Sequence, residues 1–119
     1  MARGPEAKIQ DTTVKWARQT YPGKLIARKF QAGRYGTNGW PDYDFLILKK
    51  ITFFIEFKAP GADCTPLQLE RHKELRALGF NVYVIDNVLA GKEVIRREFE
   101  YASGKARKRS PVMYGAVVT

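Results

Sequence analysis

Cysteine and histidine are almost missing from this chain: Cys64 is its only cysteine and His72 its only histidine. A single thiol excludes an intrachain disulfide, and nothing points to an oxidising compartment. One histidine and one cysteine cannot build a Cys/His zinc cluster. Long apolar runs are also absent, since segments such as Phe53-Phe54-Ile55 fall far short of a membrane span. Met1-Ala2-Arg3-Gly4-Pro5 leads into a polar helix and not into a signal-peptide core, so the expected location is cytoplasmic, with no membrane partner. Acidic residues are scarce beside basic ones: 12 Asp and Glu against 21 Lys and Arg give a net charge of +9. Such a surplus attracts polyanions, which makes nucleic acid the leading partner; charge alone leaves open a solvated basic surface with no specific ligand.

What remains is an ordinary globular composition, with 119 residues enough for one hydrophobic core and too few for two. Pro5 suits a helix start, and Ile9, Thr13, Trp16, Ala17 and Thr20 recur at helical spacing up to Pro22-Gly23. Lys24 to Phe30 reads as a strand. Gln31 to Trp40 carries Gly33, Gly36 and Gly39 and reads as a loop. Tyr43 to Leu48 and Ile51 to Phe57 read as two strands joined by a tight hairpin at Lys49-Lys50. Thr65 is an N-cap, Pro66 follows at the first helical position, and that helix runs to about Leu78. Asn81 to Ile85 has the composition of a buried parallel strand, and Lys92 to about Ala102 reads as a last helix. The order predicts an α/β domain over residues 1–102, a central mixed sheet of about four strands flanked by helices. Residues 103–119 supply a basic linker and a short apolar segment, Val112 to Val118, that belongs to the same domain or to a dimer contact.

The chemistry gathers at Glu56-Phe57-Lys58. An acid-any-Lys tripeptide means little alone, and Glu6-Ala7-Lys8 fits the same pattern. Position separates the two. Strand side chains alternate, so Glu56 and Lys58 share one face, at the C-terminal strand end where α/β sheets commonly place their sites. Asp42 leads into the partner strand, and hairpin pairing brings its carboxylate towards Glu56. Two carboxylates together repel unless a cation lies between them, and their hard oxygens suit Mg²⁺, with Mn²⁺ as a substitute. Lys58 beside them would orient a nucleophile or neutralise developing charge. The bland alternative makes Asp42 a turn residue and Glu56-Lys58 a solvated pair. Gln68 and His72, four apart on the following helix, both face inwards.

Gly39-Trp40-Pro41-Asp42, Ile55-Glu56-Phe57-Lys58 and Gln68, preceded by a helix carrying Glu6 and Gln10, resemble the VRR-NUC branch of the PD-(D/E)XK nuclease superfamily. The resemblance spans about Pro5 to Ile85. It implies a restriction-endonuclease-like core in which Glu6, Asp42 and Glu56, with the main-chain carbonyl of Phe57, hold the metal and Lys58 is catalytic. It also places Gln68 near the metal-bound water. Small stand-alone members, often from phages or prophages, resemble Holliday-junction resolvases and act as homodimers, which implies branched DNA as substrate here. Asp44 is a substitute for Asp42 one strand period away, but only Asp42 follows a proline. His72 is a structural histidine first, a catalytic one second and a metal ligand last, and Cys64 is a loop thiol without a role.

The resulting expectation is a Mg²⁺-dependent DNA endonuclease selective for DNA structure. Its rivals are a nuclease of restriction or nicking type and a nuclease-fold module that binds DNA without turnover. Arg34, Tyr35, Lys49, Lys50, Lys105, Arg107, Lys108 and Arg109 are expected phosphate contacts, with Tyr35 and Trp40 available for stacking on bases.

Overall fold

The computed structural model describes residues 4–30, 38–105 and 117–118. Helix α1 (Pro5–Thr20) starts on the expected proline and buries Gln10, Thr13, Val14 and Ala17, while Ile9 and Trp16 pack at the core's margin. Strands β1 (Ile26–Lys29), β2 (Tyr43–Leu46) and β3 (Thr52–Phe57) form an antiparallel meander. Helix α2 (Pro66–Ala77) then crosses over to β4 (Asn81–Ile85), which lies parallel to β3. Helix α3 (Val88–Ala102) follows, and a short β5 (Val117–Val118) pairs antiparallel with β4 of the same chain. The sheet order is β1-β2-β3-β4-β5, so the strand bearing Glu56 is central. This is the expected α/β architecture, with the described end of the Val112 to Val118 segment forming a sheet edge.

Strand β3 is buried on both faces because helices cover both. Phe53, Ile55 and Phe57 join the main core with Val14 and Ala17 of α1, Phe45, Tyr83 and Ile85 of the sheet, and Val94, Ile95 and Phe99 of α3. On the opposite face Phe54 meets Leu75 of α2 and Val82 of β4, with Trp40 and Phe80 against them. Period two puts Glu56 and Lys58 on that second face, under α2. Among the described residues, no helix is long and apolar enough to cross a membrane.

Two elements differ from the sequence expectation. The β2–β3 hairpin does not turn on two residues between long strands: Leu48–Lys50 form a 3₁₀ turn in which Lys49 and Lys50 take φ of 59° and 62°. Left-handed backbone of this kind usually calls for Asn or Gly. Helix α3 begins four residues before Lys92, because the Asn87 side chain accepts a hydrogen bond from the Ala90 N–H at 2.8 Å and caps it. Gly91 therefore lies inside the helix, where its missing side chain admits α1. A Cβ at Gly91 would stand 2.7 Å from Thr13 Cγ2, and a β-branched side chain has little room to turn away. Gly91→Ala should lower stability by about 1–3 kcal/mol through this overpacking, despite alanine's better helix propensity. Urea unfolding would measure it; a stabilised variant would mean that the two helices part at no cost.

Candidate active site

Three pieces of chain converge at the C-terminal end of β3. The first is the segment leading into β2. Gly39 has φ of +79°, and a Cβ there would meet the Leu67 carbonyl oxygen at 2.7 Å, so the segment lies directly on the first turn of α2. Arg71 holds it from the side by donating from Nε to the Asn38 carbonyl at 3.2 Å. Trp40 packs edge-on against Phe54, and Asp42 follows with its carbonyl accepting from Phe30 N–H at 2.8 Å. The Asp42 carboxylate is thereby fixed beside β3, where its Oδ2 accepts from the Phe57 N–H at 2.8 Å.

The second piece is β3 itself. Glu56 is 2% exposed and Lys58 9% exposed, so the charged face foreseen from sequence is buried and not solvated. Asp42 and Glu56 lie within hydrogen-bonding reach of each other. Burial, then the Glu56 charge and the hydrogen bond to Glu56, push the Asp42 carboxyl up to about 7. Glu56 is likewise pushed up to about 7 by burial, with Glu6 adding to the rise and the Asp42 hydrogen bond and Lys58 opposing it. Burial and the closeness of the two carboxyls make the doubly ionised pair unfavourable without a cation. Among the described residues, the buried Glu56 Oε1 has no hydrogen-bond partner.

The third piece is α2. Its capping box is complete: Thr65 Oγ1 accepts from the Gln68 N–H at 3.1 Å, and Gln68 Oε1 accepts from the Thr65 N–H at 2.9 Å. The same Gln68 oxygen accepts from Lys58 Nζ at 2.7 Å. Gln68 thus aims Lys58 through the helix cap, a more specific task than its expected place near a water. One turn on, His72 is fully buried with Nε2 3.6 Å from Glu56 Oε1.

Asp42, Glu56, Phe57, Lys58 and Gln68 are therefore together, and His72 joins them. Glu6, in the first turn of α1, is exposed and acts on Glu56 through its charge. Among the described residues, no three His, Cys, Asp or Glu side chains are gathered closely enough to hold a metal ion. Asp42 and Glu56 supply two carboxylates, and a third donor from the expected set would have to be a main-chain oxygen such as that of Phe57. The unpartnered Glu56 oxygen and the closeness of the Asp42 and Glu56 carboxyls fit a hard divalent cation. Asp44 is excluded from the site by a two-pronged bridge to Arg28, Nε to Oδ1 at 2.9 Å and the terminal nitrogen to Oδ2 at 3.0 Å. Cys64 is half-buried and free, with a thiol pushed up chiefly by burial.

The expected phosphate contacts are dispersed. Lys49 and Lys50 sit at the opposite end of β3 from Glu56. Lys105 lines a cavity of about 330 Å³ near the end of α3 with Lys24 and Arg96, above the stacked Tyr21 and Phe99 rings. Lys24 and Arg96 went unnoticed in the sequence, because only the fold joins them to Lys105. Arg34, Tyr35, Arg107, Lys108 and Arg109 lie outside the described residues.

Two solved structures share this architecture. One, described as a VRR_NUC domain, has a TM-score of 0.62 at 23% identity, covering 79% of this chain and 97% of that one. A VRR_NUC domain protein gives 0.68 at 18% identity over 95% of this chain and all of the other. The chain has the fold of a VRR_NUC domain. At these identities the likeness concerns the fold alone. By sequence, a protein of Acyrthosiphon pisum secondary endosymbiont phage 1, provisionally named nuclease p44, is 42% identical over 62 residues. That match takes in 52% of this chain and 64% of the phage protein, a little under two thirds of its length. No family model matches the chain.

Proposed function

We propose that this protein is a divalent-metal-dependent DNA endonuclease of the VRR-NUC type within the PD-(D/E)XK superfamily, hydrolysing phosphodiester bonds. The observation that carries the reading is the Asp42–Glu56 pair, Glu56 buried and Asp42 half-buried, with Lys58 held beside it on a VRR_NUC fold. A module that only binds DNA gains nothing from a buried glutamate set against a second, half-buried acid.

Asp42, Glu56 and the carbonyl of Phe57 would hold Mg²⁺ or Mn²⁺, with Glu6 adding negative charge from α1. When bound, the cation supplies Lewis-acid activation of water and charge neutralisation at the phosphate. The chain's own contribution is geometric and electrostatic. The Phe57 N–H fixes one Asp42 oxygen, burial excludes competing water from Glu56, and Gln68 keeps the Lys58 ammonium directed at the reacting phosphate. Lys58 then offsets negative charge as it develops there.

DNA docking falls to the basic surface. Lys49, Lys50, Lys24, Arg96 and Lys105 would contact phosphates away from the cut, together with Arg34, Tyr35, Arg107, Lys108 and Arg109 of the expected set. Branched DNA such as a four-way junction is the preferred substrate and a homodimer the working form, since two-fold related sites suit paired cuts in a two-fold substrate. Incubating linear, nicked, flapped and four-way DNAs with Mg²⁺, Mn²⁺ or EDTA tests substrate and metal together. Cleavage should need a metal and be fastest on the four-way DNA. Preference for linear or nicked DNA would assign a different specificity, and binding without cleavage in any metal would leave a binding module. DNA affinity in EDTA should fall on the order of 10²-fold between about 50 and 200 mM salt if about four phosphates are neutralised. A flat response would remove the basic surface from the account.

A further inference from the structure

A fully buried histidine ordinarily satisfies at least one ring nitrogen, yet among the described residues neither Nδ1 nor Nε2 of His72 has a hydrogen-bond partner. The nearest acid is Glu56, whose Oε1 is also buried and also unpartnered, 3.6 Å from Nε2. Two orphaned polar atoms facing each other across slightly more than a hydrogen-bond length are complementary, since one is a carboxylate acceptor and the other can carry a proton.

The placement follows from matched repeats. Four residues of helix advance about 6 Å, and two residues of strand advance about 6.6 Å. Helix α2 runs back across β3 as the crossover to the parallel β4. The earlier helix residue, Gln68, therefore meets the later strand residue, Lys58, while His72 meets Glu56. One helix face thus supplies one partner to each chemical residue of the strand.

We infer that His72 is a positioning residue, whose Nε2–H donates to Glu56 Oε1 and fixes that carboxylate. The inference rests on the reading of Asp42 and Glu56 as metal ligands. A neutral donor suits the task, because it satisfies the carboxylate without cancelling the negative charge that a cation needs. Partners of this kind behind metal ligands commonly change metal affinity by about 10–100-fold when removed.

The test is Mn²⁺ binding, followed by the spin-resonance signal of the free ion, in the parent protein and in His72→Phe, His72→Met and His72→Gln, with thermal melts in EDTA beside it. Phe and Met fill the site without a donor; should the ring not fit, Met serves alone. Gln places an N–H near the position of Nε2. We expect the donor-less variant to bind Mn²⁺ about 10–100-fold more weakly, with DNA binding in EDTA unchanged and Gln recovering most of the loss. A folded donor-less variant with parental Mn²⁺ affinity would overturn the inference. So would nitrogen hyperfine coupling from a directly bound imidazole in the parent, which would make His72 a ligand. Failure of the parent itself to bind Mn²⁺ would be a different result, removing the metal-site reading and the positioning role with it.

Discussion

Glu56→Gln should abolish cleavage and at the same time make the metal-free protein more stable, by about 1–3 kcal/mol near pH 8. The gain follows from the site's electrostatics. Both Asp42 and Glu56 bind protons more tightly in the fold than in the unfolded chain, at about 7 against 3.8 and 4.5. Below the ordinary carboxylate range both states are protonated and the pair costs nothing. As pH rises from about 4 to about 7 the unfolded chain ionises first, so folding stability falls through that window and the full penalty persists above it. Each pKa unit corresponds to about 1.4 kcal/mol, discounted here because Asp42 is only partly shielded. A glutamine at position 56 removes one charge of the pair and its repulsion. His72 has the opposite sign: held at about 4, it costs stability as pH falls below 6.5. Urea unfolding in EDTA at about pH 5 and pH 8 separates these contributions, and Mg²⁺ should restore stability to the parent alone. A destabilised Glu56→Gln at alkaline pH would show that the pair is not under electrostatic strain.

Lys58→Ala should lower kcat about 10²–10³-fold, the usual cost of losing a preorganised charge at a reacting centre. Metal affinity should change far less, since the lysine is not a ligand. Lys58→Arg should recover little. The guanidinium is a wide planar fork, and the space is set for a compact ammonium by Gln68 Oε1 at 2.7 Å. Single-turnover cleavage at saturating Mg²⁺ separates the two effects. Unchanged single-turnover rates in a folded Lys58→Ala would take the catalytic role away from this residue.

The site was legible where its signals are local. The alternation of β3 put Glu56 and Lys58 on one face, the hairpin carried Asp42 to them, and Thr65-Pro66 announced the helix that delivers Gln68. Depth was not legible. In the sequence a solvated pair stays open as the bland alternative until α2 and Leu75 close over Phe54 and Val82. The orphaned His72 nitrogens depend on the rotation of α2 about its axis, which single-sequence periodicity does not specify to one residue. Gly39 read as loop flexibility, whereas its φ of +79° and its contact with Leu67 fix the loop carrying Asp42. Gly91 similarly masked the start of α3, although Asn87 stood in the sequence as its cap. The grouping of Lys24, Arg96 and Lys105 is purely tertiary.

The most direct measurement is cleavage of four-way and supercoiled DNA by the parent protein and by Glu56→Gln, prepared identically, in Mg²⁺, Mn²⁺ and EDTA. Metal-dependent cleavage by the parent, absent from Glu56→Gln and from EDTA, is the result expected of the Asp42–Glu56 centre. Equal cleavage by both proteins, or none by the parent in either metal, would contradict it.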